Sequence, residues 1–230
     1  MSHESTNFLA ADARWGAPAV ARRRSRPAAS EGWKRAFDVS TAAAILLAFS
    51  PLFLILALAL LSQGRPFLIR HHRIGRGGAS FPCFKIRTMV VDAEAVLNEH
   101  LAADVAARQE WQASRKLKND PRVTRLGRVL RKSSVDELPQ LLNVIRGEMS
   151  LVGPRPIVAA EAIHYGQHIE RYHEVRPGLT GLWQVSGRSD TSYGQRVALD
   201  CRYVETRSFW RDLAILLMTV PAVLRSKGSY

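Results

Sequence analysis

The sequence predicts an α+β chain, mainly helical, organised around an N-terminal membrane helix that turns back at a Ser-Pro kink. Three observations carry this expectation. Val39 to Leu61 is an apolar run without a charged residue, long enough on paper to cross a bilayer. Two strand-like segments flank Gly77-Gly78. Leu138, Leu141, Leu142 and Ile145 recur at helical spacing directly after two adjacent carboxylates, Asp136 and Glu137. The 230 residues suit one modest domain plus a tail, and 47% hydrophobic content is enough for a real core, which excludes wholesale disorder. Cys83 and Cys201 lie far apart with no CxxC spacing, so neither a disulfide framework nor a structural zinc site is indicated. With 33 Lys+Arg against 20 Asp+Glu the formal charge is +13, which calls for a polyanionic partner: nucleic acid, anionic lipid or a phosphorylated substrate.

Residues 1–32 are rich in Ala, Ser, Pro and Arg, with a basic cluster at Arg22, Arg23, Arg24 and Arg26, and read as a disordered basic tail. Glu4, Asp12 and Glu31 argue against a transit peptide. Residues 33–64 read as a helix-break-helix membrane element. Pro51 lacks the amide that would bond the Leu47 carbonyl, so a sharp kink is expected there, with the Ser50 hydroxyl able to serve a freed carbonyl. Each arm of such a kinked helix reaches only about half of a roughly 30 Å hydrocarbon core. Lys34 and Arg35 precede the run, and Arg65, Arg70, Arg73 and Arg76 follow it. Positive charge on both sides favours entry and exit through one leaflet, with Lys34 and Arg35 at lipid headgroups. A Pro-kinked transmembrane helix is the competing reading.

Residues 65–230 read as a cytoplasmic domain. Its β-hairpin carries Lys85 and Arg87 at the end of the second strand. Asp92 to about Lys118 follows as one helix, stopped by Asn119-Asp120-Pro121. A basic run from Arg115 to Lys132 leads into Asp136 and Glu137, which the pattern places at the start of a helix ending near Gly147. Helix-terminal amides favour ionised carboxylates and attract phosphate. Routine capping, by Asp136 or by a Ser134-to-Glu137 capping box, is the other reading of the same residues. Gly153-Pro154-Arg155-Pro156 holds one arginine stiffly, and Arg176-Pro177-Gly178-Leu179-Thr180-Gly181 reads as a second rigid turn; each is either a phosphate grip or a plain structural turn. Leu213 to Leu224 is too short to span and reads as an interfacial helix, with core packing as the alternative. His164 and His168 lack a completing carboxylate motif and are discounted as a metal pair. Trp183 fits either a stacking platform for a base or a buried aromatic, and Asp200 and Asp212 fit capping or pairing as well as a site.

Together, KRAFD at Lys34 to Asp38, Ser50-Pro51, FKIRTM at Phe84 to Met89, the block from Asp120 to Pro156 and RPGLTGLWQVSGR at Arg176 to Arg188 resemble the monotopic phosphoglycosyl transferases, bacterial sugar transferases that act on polyprenyl phosphate. The likeness runs from about Trp33 to Tyr230 and looks most like the short members that initiate exopolysaccharide with galactosyl phosphate; Ile86 and Val135 depart from it where an aromatic and Leu are common. The resemblance implies an enzyme on the cytoplasmic face of the bacterial inner membrane. It would move hexose-1-phosphate from a UDP-sugar, with galactose or glucose left open, to undecaprenyl phosphate, releasing UMP. By the same likeness Asp136 would be the nucleophile and Glu137 would hold Mg²⁺. Lys85, Arg87, Arg131 and Arg155 would grip phosphates, and Arg176, Pro177, Gly178, Thr180 and Arg188 would lie on the nucleotide side.

A membrane-anchored nucleic-acid-binding protein or a non-catalytic scaffold would also use the charge. The sequence carries no helix-turn-helix, zinc-finger or RNP signature, and no nucleic-acid partner is expected.

Overall fold

The computed structural model describes residues 28–114, 117–186 and 191–224. Most of the expected basic tail, and with it the arginine cluster, therefore lies outside the described residues, as do Arg188, Arg225 and Lys227. The first element, α1 (Ala28–Leu61), begins inside the stretch read as disordered; Glu31 sits in its first turn, where a carboxylate complements the helix dipole. Its most apolar 18-residue stretch has a mean hydropathy of 2.8, and it alone among the described helices is long and apolar enough to cross a membrane. The expected break into two helices is not found. Helix runs through Pro51, and the Ser50 hydroxyl donates to the Leu47 carbonyl at 2.7 Å, serving the acceptor that the proline leaves unmet.

Only one stripe of α1 packs against the rest of the chain. Ala42, Leu56 and Leu60 are buried, with Ile45, Leu46, Leu52 and Phe53 partly so, while Leu47, Leu54, Ile55 and Leu58 stand exposed. Both ends of that stripe are fastened. Lys34 donates to Asp212 at 2.7 Å and lies 3.6 Å from Asp38, whose other bond comes from the Ser150 hydroxyl at 2.7 Å. Arg35 donates to the Val144 and Ile145 carbonyls at 2.5 and 2.8 Å. Lys34 and Arg35, expected at headgroups, thus also bind buried carboxylates and the carbonyls at the end of α5. At the far end Arg87, itself buried, donates to the Leu60 carbonyl at 2.9 Å.

The hairpin forms as expected, β1 (Leu68–Ile74) antiparallel to β2 (Ser80–Ile86) with Ile69 opposite Lys85. The turn between them needs positive φ at Gly77 and Gly78, +68° and +77°. The helix expected over Asp92 to Lys118 is two, α2 (Ala93–Ala103) and α3 (Val105–Ser114), because Asp104 adopts an extended conformation and its carboxylate accepts from the Ala107 amide at 3.0 Å, starting a new helix. Thr124 caps α4 (Arg125–Ser133), and Gly127 lets that helix lie against the Thr88 carbonyl, 2.0 Å from where a Cβ would sit.

After a short 3₁₀ turn, Val135–Glu137, comes α5 (Gln140–Arg146), closed by Gly147 at φ +87°. The segment expected as a stiff turn at Arg176 to Gly181 contains β4 (Gly178–Thr180), paired parallel with β3 (Ser150–Val152). Glycines make this seam possible: a Cβ on Gly178 would lie 2.1 Å from the Gly153 nitrogen, and one on Gly181 2.2 Å from the Gly153 oxygen. Short α6 (Ile169–His173) and α7 (Leu182–Val185) lead to α8 (Tyr193–Thr206) and α9 (Phe209–Leu224). The last helix buries Ile215 and Asp212 against the core and exposes Phe209, Trp210, Leu217 and Met218. His164 and His168 sit in a 3₁₀ stretch interrupted at Gly166 and so do not share a helical face.

Candidate active site

The chain reaches Asp136 by a forced turn. Ser134, the only non-glycine residue at positive φ among those described, ends α4 at φ 57° and swings the backbone into the Val135–Glu137 turn. Neither capping role is found: Ser134 makes no side-chain cap bond, and the N-cap position of α5 is Pro139. The two carboxylates precede α5 by a turn and belong to the 3₁₀ segment. Across from them β2 delivers Lys85, which donates to Glu137 Oε1 at 2.7 Å and stands 4.0 Å from Asp136 Oδ2.

What fixes β2 against this turn is Asn143, which is fully buried. Its amide nitrogen donates to the Pro82 carbonyl at 2.8 Å and to Glu148 at 2.6 Å, and its oxygen accepts from the Phe84 amide at 3.1 Å. One side chain thereby stands in for a neighbouring strand and sets the register of Lys85 against the dyad. Sequence reasoning missed Asn143, whose place in an apolar helical pattern is the one signal that could have marked it. Thr88 was also missed. It is buried, accepts from Arg131 Nε at 2.9 Å, and its carbonyl takes the Thr124 amide, so it holds Arg131 beside the dyad.

The environment splits the two carboxylates. Asp136 is only 7% exposed, and burial pushes its carboxyl up to about 6; Lys85 opposes this, Glu137 adds to it, and Arg131 opposes it. Desolvation also acts to raise Glu137, but the Lys85 charge and hydrogen bond, with Arg155 and Arg73 further off, outweigh it and hold that carboxyl below the usual glutamate value. The result is one desolvated, weakly partnered carboxylate and one that is firmly ionised and 37% exposed. The first is the better nucleophile and the second the better seat for a hard cation.

The other expected residues separate. Arg155 lies near enough to lower Glu137 and also lines a small, partly open pocket, where its guanidinium stands 5.8 Å from the Trp183 ring. Arg87 donates through Nη2 to the Leu60 carbonyl, while its buried Nη1 meets no partner among the described residues. Arg176 donates to the Gly147 carbonyl at 2.7 Å, helping to cap α5. The Pro177 carbonyl accepts from the Ser150 amide, the Gly178 amide donates to the Pro154 carbonyl, and the Thr180 hydroxyl meets that of Thr219 at 2.7 Å. Those four residues build the β3–β4 seam.

Comparison with known proteins gives the same direction. Residues 29–226 match the family model described as bacterial sugar transferase. The chain is 55% identical over 198 residues to the exopolysaccharide production protein ExoY of Rhizobium meliloti, covering 86% of this chain and 88% of that one. It is 50% identical over 197 residues to the undecaprenyl-phosphate galactose phosphotransferase of Salmonella typhimurium, spanning 41% of that longer protein. It is also 46% identical over 206 residues to the UDP-glucose:undecaprenyl-phosphate glucose-1-phosphate transferase of Caulobacter vibrioides, 72% of which it covers. A desolvated carboxylate beside an ionised one, fixed to a lysine strand and an exposed apolar helix, sits within that matched region: the chain belongs to the bacterial sugar transferase family.

Proposed function

We propose that this protein is a membrane-associated phosphoglycosyl transferase, moving hexose-1-phosphate from a UDP-sugar to undecaprenyl phosphate and releasing UMP, as the first membrane step of exopolysaccharide synthesis. The observation that carries this reading is the split pair: Asp136 pushed up to about 6 by burial beside Glu137 held low by Lys85. In the first step an Asp136 oxygen attacks the phosphorus that bears the sugar, the bond from that phosphorus to the bridging oxygen breaks, and UMP departs with the electron pair. In the second, a phosphate oxygen of the lipid attacks the same phosphorus and expels Asp136, giving a lipid-linked diphosphosugar. Lys85, Arg131 and Arg155 offset the charge of the phosphates, and Ser134 and Asn143 keep the carboxylates and Lys85 in position.

Mg²⁺ fits this site. Lys85 engages Glu137 through Oε1, the side chain is partly exposed, and one or two carboxylates plus substrate phosphates are the usual way this ion is held. Glu137, with Asp136 beside it, would hold the ion, which supplies charge neutralisation on the diphosphate.

The fastening of α1 supports the same-leaflet reading. Lys34 and Arg35 at one end and Leu60 at the other are bound to the same domain, whereas a helix crossing the bilayer would carry its two ends to opposite sides. A domain held at both ends, on the cytoplasmic side of the inner membrane, is the arrangement that this favours.

The test is UMP release by membrane-extracted protein given UDP-galactose or UDP-glucose, with and without undecaprenyl phosphate and Mg²⁺. Turnover that needs lipid, metal and Asp136 is the expected result. Unchanged turnover in Asp136→Asn would remove the nucleophile from this account.

A further inference from the structure

We propose that the pocket beside Arg155 binds the uracil ring of the donor, Asp200 accepting the N3–H of the base while Arg155 and Arg196 donate to its carbonyl oxygens. This rests on the reading of the donor as a UDP-sugar. The pocket is built rather than incidental. Asp200, on α8, is 2% exposed and lines it. Its Oδ2 accepts from the Tyr165 hydroxyl at 2.7 Å, which fixes the carboxylate; the Arg155 backbone amide also acts on this carboxylate, but no donor among the described residues reaches Oδ1 with full hydrogen-bond geometry. A buried carboxylate oxygen left unmet costs free energy that a ligand N–H recovers.

The surrounding chemistry selects a flat heteroaromatic ring. Two guanidinium groups stand over the Trp183 ring, Arg155 at 5.8 Å and Arg196 at 4.9 Å, and Tyr165 and Tyr193 complete the aromatic lining. Aromatic rings and arginine planes are the surfaces on which unstacked bases are held. The imide edge of uracil offers an acceptor, a donor and an acceptor in sequence, and arginine, carboxylate and arginine are its complement. Cytosine presents a lone pair at N3 and an amino group at C4, so it meets the carboxylate acceptor to acceptor. Arg155 also lies near enough to Glu137 to lower its carboxyl, so the phosphates of a donor seated here run toward the dyad.

The experiment compares wild type, Asp200→Asn and Arg196→Gln as full-length protein in detergent, reading UMP release from the accepted UDP-hexose and its inhibition by UMP, CMP and hexose-1-phosphate. The expected result is that both variants raise KM for the donor and the inhibition constant of UMP together, by about tenfold, with inhibition by hexose-1-phosphate unchanged. In the wild type CMP should inhibit at least about tenfold more weakly than UMP. If Asp200→Asn fails to fold, judged by its melting profile, Arg196→Gln carries the test. A rise in donor KM with UMP inhibition unchanged would overturn the proposal and give the pocket to the hexose. Variants indistinguishable from an active wild type overturn it alone; a wild type that releases no UMP from any UDP-hexose overturns it along with the donor reading.

Discussion

Two arginines that look alike in sequence, Arg155 between prolines and Arg176 before Pro-Gly, meet different fates. The first faces a pocket and influences the dyad; the second closes a helix end. The regions around them differ in the same way. In the dyad region, charged groups are held apart from full satisfaction, with Asp136 desolvated and 4.0 Å from Lys85. In the β3–β4 seam every group named for a site has found a backbone or side-chain partner, and the glycines serve close approach. Residue type therefore does not separate a grip from a joint. What separates them is whether nearby carbonyls and amides are left in need of a partner.

The sharpest way to break the comparison is Asp136→Asn. Turnover should fall by about 10³-fold or more, measured as UMP release. Stability should move the other way. Burial raises the folded-state value from 3.8 to about 6, so the protonated form favours the fold, fully below about pH 4 and less as pH rises through 6. Ionised Asp136 thus costs up to about 3 kcal/mol at pH 7, which the neutral amide removes, and the variant should melt higher. In the seam the opposite holds. Gly178→Ala puts a methyl 2.1 Å from the Gly153 nitrogen and should cost about 3 kcal/mol or more, with activity lost only as the fold is lost.

Arg176→Met tests the joint directly. It leaves the Gly147 carbonyl without that donor and should lower stability by about 1–2 kcal/mol in thermal melts, with KM of the folded fraction unaltered. A changed KM would return Arg176 to the nucleotide side. The pH profile sharpens the dyad half: activity limited by ionised Asp136 should fall about tenfold per unit below about pH 6 in a buffer-matched series. The smallest effect belongs to Ser134→Gly, which relieves positive φ and should stabilise by at most about 1 kcal/mol without altering turnover.

Much of this was legible in the sequence. The hairpin announced itself by glycines at its turn, the dyad by its place before an apolar helical repeat, and α1 by the absence of charge over its apolar run. The rest depended on contacts distant in sequence. Asn143 reaches strand β2 across about sixty positions, and its place in an apolar helical pattern hints at burial without naming what it binds. The parallel pairing of two three-residue strands lacks the length that makes alternation visible. Lys34 and Arg35 stand out in sequence as membrane-flank charges, but their bonds to Asp212 and to the end of α5 join positions more than a hundred residues apart. Even the two departures from the family pattern, Ile86 and Val135, prove to be neighbours in one cluster with Leu56, Leu60 and Leu130.

The exposed side of α1 has a kinetic meaning. Leu47, Leu54, Ile55 and Leu58 each carry about 1.5–3 kcal/mol of unfavourable hydration if drawn into water, so these four alone resist desorption by several powers of ten. On the proposed function, the protein stays with the lipid sheet; its lipid substrate would then be met by lateral diffusion in two dimensions, and only the water-soluble donor would be drawn from the bulk. Throughput then depends on the surface density of enzyme and carrier lipid as much as on the volume of the cell that feeds them.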